Sequence, residues 1–218
     1  MSTRHLSVQA AGETLWLLPG RAVWWPARRT LFIADLHLGK AATFRQGGQP
    51  VPAGTTRGNL DRLEALLREH AAESLVVLGD FVHAPEALTA SVLGSLAAWR
   101  AAFPTLHVTL VRGNHDRRAG DPPASLGLAV VDEPFSIGPL AACHHPQAVP
   151  GALALAGHVH PVVRLYGRGR DRLRLPCFLL DAQQLLLPAF GEFTGGWEVA
   201  REEGQQVFVV GDGVWKLP

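Results

Sequence analysis

The chain has 218 residues, 47% of them hydrophobic and 18% charged, with a formal net charge of +1. That length suits one large domain with a full core, expected over residues 1–218, and the near-neutral balance excludes a chain-wide basic surface, so any polyanion site has to be local. Two cysteines, Cys143 and Cys177, are too few for a disulfide framework or a cysteine-type zinc site. No run approaches the ~18 apolar residues of a membrane span, and "MSTRHLSVQA" lacks the apolar stretch of a signal peptide. The expectation is a soluble, cytoplasmic protein with no membrane partner.

In chain order, short strands are expected at 5–10, 13–18, 22–25 and 30–34, divided by the turn-forming stretches "AGE", "PGR" and "PARR". Residues 57–71 put Leu60, Leu63, Leu66 and Leu67 on one face, the spacing of a helix. "SLVVLGD" at 74–80 reads as a buried strand and a turn, and 85–102 as a second helix with Pro85 in its first turn. Strands running into polar turns follow at 107–116, 140–146 and 153–161. Further strands are expected at 163–167, 172–180, 185–188, 197–200 and 206–210. Helices between the early strands imply crossovers, and the strand-rich tail implies a second sheet.

Five apolar strands end in the same chemistry. Asp35 and His37 follow Leu31–Ala34; Asp80 follows Gly79; Asn114, His115 and Asp116 follow Gly113; His144 and His145 follow Cys143; His158 and His160 follow Gly157. Ligands of α/β sheets bind outside the carboxyl ends of the strands. Oxygen and imidazole donors without thiolate suit borderline divalent ions. Spacing of two on an extended segment aims both side chains one way, so Asp35 with His37, and His158 with His160, are each expected to grip from one side. So many ligands exceed one tetrahedral ion and fit two ions about 3.5 Å apart that share a carboxylate. The glycines at 79, 113 and 157 are expected as turn residues that free the next side chain.

The ordered pattern D-x-H, G-D, G-N-H-D, H, G-H-x-H over residues 30–161 closely resembles the calcineurin-like metallophosphoesterase family. The resemblance implies an α/β fold with two central mixed sheets packed face to face and flanked by helices, a four-layer αββα sandwich. It implies two divalent metal ions, manganese first, with iron, zinc or nickel as alternatives. Asp35, His37 and His160 would hold one ion, Asp80 would bridge, and Asn114, His144 and His158 would hold the other. His115 would be catalytic, contacting the phosphate and the leaving oxygen without ligating. Members with H-x-P at the fourth motif use the residue two before the proline, which points to His144, with His145 as the alternative. Many members place an aspartate three residues after the G-D aspartate to orient the catalytic histidine. Here "GDFVH" puts His83 there, a candidate substrate contact, and Asp116 is a candidate brace.

"ADLHLGKAATFRQGGQPVPAGTT", "LGDFVH", "VRGNHD", "CHHP", "GHVHPVVRL" and "LRLPCFLL…LLLPAFGEFTGG" together resemble the PdeM type, bacterial phosphoesterases described as ligase-associated DNA damage response endonucleases. That implies phosphodiester hydrolysis on DNA, a role in DNA repair, and a ligase as a partner. A small-molecule phosphatase or nucleotide pyrophosphatase on the same site is the rival. A non-catalytic interaction scaffold would have lost ligands, and none is missing.

Arg168, Arg170, Arg172 and Arg174 alternate, so on a strand they share a face. Arg168, Arg170 and Arg172 are candidate substrate contacts to a phosphate backbone, weighed against a solvated edge hairpin guarded by arginine. Trp16, Trp24 and Trp25 are expected in the core. Phe190 and Phe193, in an irregular loop, could stack a base but more commonly such residues pack.

Overall fold

The computed structural model describes residues 5–46, 48, 54–167, 171–200 and 202–218. The first sheet grows in chain order. β1 (Leu6–Ala10), β2 (Glu13–Leu18), β3 (Ala22–Trp25) and β4 (Thr30–Ala34) form an antiparallel meander. After α1 (Lys40–Gln46) and α2 (Thr55–Glu69), β5 (Ser74–Leu78) lies parallel to β4. After α3 (Ala90–Ala102), β6 (His107–Val111) joins β5, and after α4 (Asn114–Ala119), β7 (Ala129–Val131) closes the row, again in parallel.

The second sheet contains β8 (Phe135–Ile137), β9 (Leu140–Ala142), β10 (Leu153–Ala156), β11 (Pro161–Tyr166), β12 (Arg172–Leu180), β13 (Gln184–Leu186), β14 (Trp197–Glu198), β15 (Gln206–Val210) and β16 (Val214–Lys216). Their order is β14-β11-β12-β13-β10-β9-β8, with β15 pairing β12 and β16. β9, β10 and β13 run parallel, and the other pairings are antiparallel except β11 with β14.

Packing follows from strands that are apolar on both faces, as parallel strands covered on both sides must be. Leu31 and Ile33 of β4, with Leu75 and Val77 of β5, face the helices and meet Leu60, Leu63, Leu66 and Leu67 of α2. Phe32 and Ala34, with Val76 and Leu78, face the other sheet and meet Leu140, Leu153, Leu155 and Phe178. Each large side chain fully buried here contributes roughly 1.5–3 kcal/mol. The outer face of the second sheet buries Ala141, Cys143, Ala154, Cys177 and Val209. Among the described residues every α-helix precedes Gly120, so helical cover lies on the first sheet.

The expected two-sheet α/β sandwich is what the chain forms. Element bounds differ in ways the local chemistry explains. The helix expected over 85–102 is a single 3₁₀ turn, Pro85–Ala87, followed by an α-helix that starts only at Ala90. Thr89 is extended, and its Oγ1 accepts the Val92 N–H at 3.3 Å, so it is the N-cap. The short elements α1, α4, β7, β8 and β16 have no strong apolar period and lie outside the expected set. Trp24 and Trp25 are buried, and Trp24 stacks on His70 with ring centroids 5.0 Å apart.

Candidate metal centre

β4, β5 and β6 are neighbours whose last residues are in register: Ala34 opposite Leu78, and Leu78 opposite Val111. β9 and β10 are likewise paired in parallel, Ala142 opposite Leu155. The segments that leave these strands therefore emerge at one end of the sandwich. Main-chain bonds continue between them after the strands stop: Asp35 N–H to Gly79 O at 3.3 Å, His37 N–H to Asp80 O at 2.8 Å, and Leu38 N–H to Phe81 O at 2.9 Å.

The shared direction of Asp35 and His37 does not come from an extended strand. β4 ends at Ala34, and Asp35 and His37 both have left-handed backbones, with φ of 53° and 46°. Asp80, His158 and His160 are left-handed too, at 48°, 67° and 51°. Residues with a Cβ rarely adopt that conformation. Five of the ten described non-glycine residues that do so are site candidates, and such conformations persist only where the surroundings over-determine them. The glycines act by close approach more than by turning. A Cβ on Gly79 would sit 2.1 Å from His144 Nδ1, one on Gly113 2.2 Å from Asp80 Oδ1, and one on Gly157 2.5 Å from Asp35 Oδ2.

The seven candidate ligands converge in two groups around Asp80. On one side, His37 Nε2 lies 3.4 Å from His160 Nε2, and His160 Nε2 lies 3.5 Å from Asp35 Oδ1. Asp80 Oδ2 faces this group at 3.7 Å from His37 Nε2. On the other side, His144 Nε2 is met by Asn114 Oδ1 at 2.9 Å and by His158 Nδ1 at 3.1 Å. Asp80 Oδ1 faces that group at 3.5 Å from the same nitrogen. The two oxygens of one carboxylate thus look into two donor clusters. Ligand atoms of Asp35, His37 and His160 all lie within 4.8 Å of one another, as do those of Asp35, Asp80 and His144.

The donor set fits cations. Asp35 and Asp80 are 0% and 2% exposed, His144 is 0%, and Asp35 Oδ1 has no hydrogen-bond partner among the described residues. A buried carboxylate oxygen without a partner is costly unless an ion completes it. Two imidazole nitrogens at 3.4 Å also need a cation or a proton between them. Burial, then the charges of Lys40 and His160, drives His37 far below the ordinary histidine range. Burial, then His144 and His145, lowers His158. Both are thereby kept neutral, the form that ligates. Burial works against the charged form of His160 too, but the nearby carboxylate of Asp35 outweighs it and its pKa is raised.

His115 stands beside these groups. Its main-chain N–H donates to Asp80 Oδ1 at 2.9 Å, and its Nε2 lies 3.9 Å from Asp80 Oδ2. Its Nδ1 is 2.6 Å from the carbonyl oxygen of His83, and the His83 ring stacks on it, centroids 5.0 Å apart and 22° from parallel. Burial, then Lys40 and His115, lowers the His83 pKa to about 4. Asp116 is the brace. Its Oδ1 accepts the N–H groups of Phe81 and Val82 at 3.0 and 3.2 Å, and its Oδ2 accepts that of Gly113 at 2.9 Å. One carboxylate therefore fastens the Asp80 turn to the start of α4.

His144 and His145 part company through Glu133, a residue outside every sequence motif. Glu133 Oε2 accepts the N–H of both, at 2.7 and 2.8 Å, and Oε1 lies 2.6 Å from His145 Nδ1. His145 is thus turned to Glu133 while His144 faces Asp80 and Asn114. No local pattern marks Glu133, which lies 11 residues upstream of His144.

Of the arginine candidates, Arg168 and Arg170 lie outside the described residues. Arg172 pairs across the hairpin with Tyr166 and stacks on its ring at 5.9 Å. Arg164 is opposite Arg174 in register and is neutralised by Glu198 at 2.7 Å. Phe190 is fully buried under Arg62, whereas Phe193 is 46% exposed.

Donor clusters of this kind could hold divalent metal ions, and the chain matches calcineurin-like phosphoesterases over residues 28–211. It belongs to that family and is a hydrolase acting on ester bonds. Among solved structures it is similar to the nuclease MPE of Pseudomonas putida, with 48% identity and a TM-score of 0.85, covering 98% of this chain and 100% of that one. Two more distant structures align with lower scores. One is a protein of unknown function from Aquifex aeolicus (18% identity, TM-score 0.42, covering 65% of this chain and 81% of that one). The other is the phosphoesterase Yfce of E. coli (17%, 0.39, covering 83% and 86%). No curated protein matches the chain at a significant level. No helix among the described residues is long and apolar enough to cross a membrane.

Proposed function

We propose that this chain is a dinuclear-metal phosphodiesterase that cleaves DNA. The observation that carries the metal assignment is the placement of Asp80, whose Oδ2 faces His37 at 3.7 Å and whose Oδ1 faces His144 at 3.5 Å. Asp35, His37 and His160 would hold one ion, Asn114, His144 and His158 the other, and Asp80 would serve both. Two ions held there would supply an activated water for in-line attack and positive charge against the phosphoryl group. Oxygen and imidazole donors suit borderline divalent ions without choosing among them; manganese is proposed first, with iron, zinc or nickel as alternatives.

His115 is assigned a role outside the ligand set, although ligand atoms of His37, His83 and His115 lie within 4.8 Å of one another. Its Nδ1 is committed to the His83 carbonyl, which can only accept, so Nδ1 carries a proton and Nε2 is the atom presented to substrate. In its cationic form Nε2–H donates to a phosphoryl oxygen and then to the departing oxygen. The His83 ring, stacked beside it, borders the substrate. The nuclease reading is supported by the 48% identity to a nuclease over nearly the whole of both chains. A DNA-repair setting with a ligase partner is the extension of that reading.

The test is hydrolysis with manganese of bis-p-nitrophenyl phosphate, p-nitrophenyl phosphate and plasmid DNA. Diester cleavage exceeding monoester cleavage, with conversion of supercoiled plasmid, is expected. Activity on monoesters alone would replace the reading with that of a small-molecule phosphatase.

A further inference from the structure

A cleft of about 220 Å³ opens on the side of His160 away from the donor clusters. Its walls come from distant parts of the chain: Arg21 from the turn after β2, Arg174 and Pro176 from β12, and Phe193 and Thr194 from the loop before β14. His160 is the partition. Its Nε2 faces Asp35 at 3.5 Å and its Nδ1 faces the Thr194 carbonyl at 3.2 Å. One imidazole therefore separates the cleft from the site of chemistry.

The lining is suited to an anion with an aromatic neighbour. It includes two guanidinium groups and no carboxylate. Among the described residues the Arg21 side chain has a single long hydrogen bond, 3.5 Å to Ala189 O, with the charge of Glu192 nearby, and the Arg174 side chain bonds only the Gly196 carbonyl. Most donors of both forks are thus uncommitted, and such forks match phosphate oxygens. Phe193 sits beside them with its ring 46% exposed and a left-handed backbone, φ 57°. Its loop is fastened before Phe193 by the Gly191 N–H to Asp35 O at 3.0 Å, and after it to His160, through Thr194 O and through the Trp197 N–H to His160 O at 3.0 Å. An exposed ring on an anchored loop is an arranged surface and not a fraying one.

We infer that this cleft receives the nucleotide next to the scissile phosphate, with its phosphate held by Arg21 and Arg174 and its base against Phe193. The inference rests on the phosphodiesterase reading above. It assigns polymer preference to residues outside the metal ligands, and places it on Arg21, which belongs to the opposite sheet from the arginine hairpin.

Arg174→Gln and Phe193→Ala alter exposed side chains, so the fold is retained; Arg21→Gln is measured beside them. Each is assayed with manganese on a short DNA oligonucleotide and on bis-p-nitrophenyl phosphate. For the oligonucleotide, KM should rise at least about fivefold in Phe193→Ala, the lower end of what removal of one base stack costs. In Arg174→Gln, the dependence of log KM on log salt should fall by roughly 0.7–0.9, the share of one phosphate that is no longer neutralised. For the small diester, kcat/KM should stay within about twofold of wild type in both, since it has no second phosphate and no base for the cleft to hold. Unchanged oligonucleotide KM and salt slope in both exposed variants would overturn the inference, as would equal losses on the two substrates. A wild-type protein that cleaves neither substrate refutes the phosphodiesterase reading itself. One that cleaves the small diester but no oligonucleotide leaves that chemistry standing and overturns the cleft assignment.

Discussion

The Nδ1 of His115 lies 2.6 Å from the main-chain carbonyl oxygen of His83. A backbone acceptor thus stands where the sequence pattern lacks the expected aspartate, and it fixes the ring whatever side chain residue 83 carries. His115→Gln is expected to lower kcat on a diester with a poor leaving group by about 10²–10⁴, the usual worth of a positioned acid. Metal content should stay at two ions. His83→Ala, which leaves the carbonyl in place, should lose far less of kcat. Equal losses from the two variants would place the orienting function in the His83 side chain instead.

Asp80→Asn should do more harm to metal binding than any other single ligand change. It removes charge from a carboxylate that faces both clusters, at 3.7 and 3.5 Å. Metal analysis of the purified variant should find fewer than one ion per chain. Retention of two ions would show that Asp80 does not bridge.

Metal removal should lower thermal stability. Asp35 and Asp80 are buried, and Asp35 Oδ1 lacks a hydrogen-bond partner among the described residues, so ions at the proposed centre would bind a site that the unfolded chain cannot organise. At free metal 100 times the dissociation constant, the linkage contributes about 2.7 kcal/mol. For a chain of this size that raises Tm by roughly 5–10 °C. Scanning calorimetry with manganese and with EDTA measures it, and identical Tm values would count against a buried metal centre.

Gly79→Ala tests the close approach behind the second cluster. The new Cβ would fall 2.1 Å from His144 Nδ1, at a φ of 76° that alanine rarely adopts. The imidazole has to retreat from Asn114 and Asp80. The expected result is selective loss of one of two metal-binding steps in calorimetric titration, with the step that involves Asp35, His37 and His160 retained.

Asp116→Asn removes one of the acceptors for three main-chain N–H groups and brings an NH₂ against a donor. A buried donor left unsatisfied costs about 1–3 kcal/mol. Urea unfolding should register a loss of that size. Turnover should fall as well, because the same carboxylate ties the Asp80 turn to His115. A stability loss with unchanged kcat would mean that the brace serves the fold alone.

Much of this was legible in the chain itself. β4, β5, β6, β9 and β10 are short apolar runs because both faces of each are covered, and each is followed within a few residues by the polar groups that form the site. A donor set of aspartate, asparagine and histidine could be recognised because it recurs in one local format: an apolar strand, then a glycine or a sharp bend, then the ligand. What the chain alone did not determine was how those formats meet. His37 and His160 are 123 residues apart yet face each other at 3.4 Å, and only the parallel register of two sheets brings them there. The left-handed backbones of Asp35, His37, Asp80, His158 and His160 suit aspartate and histidine better than most side chains, but residue type does not place them; the convergence does. The different orientations of His144 and His145 go with Glu133, and the cleft beside His160 with Arg21 and Arg174, contacts that span the fold. Local pattern records which side of a strand is dry and where it ends. Direction at the site depends on long-range hydrogen bonds and packing, and these exist only once the sheets have closed on each other.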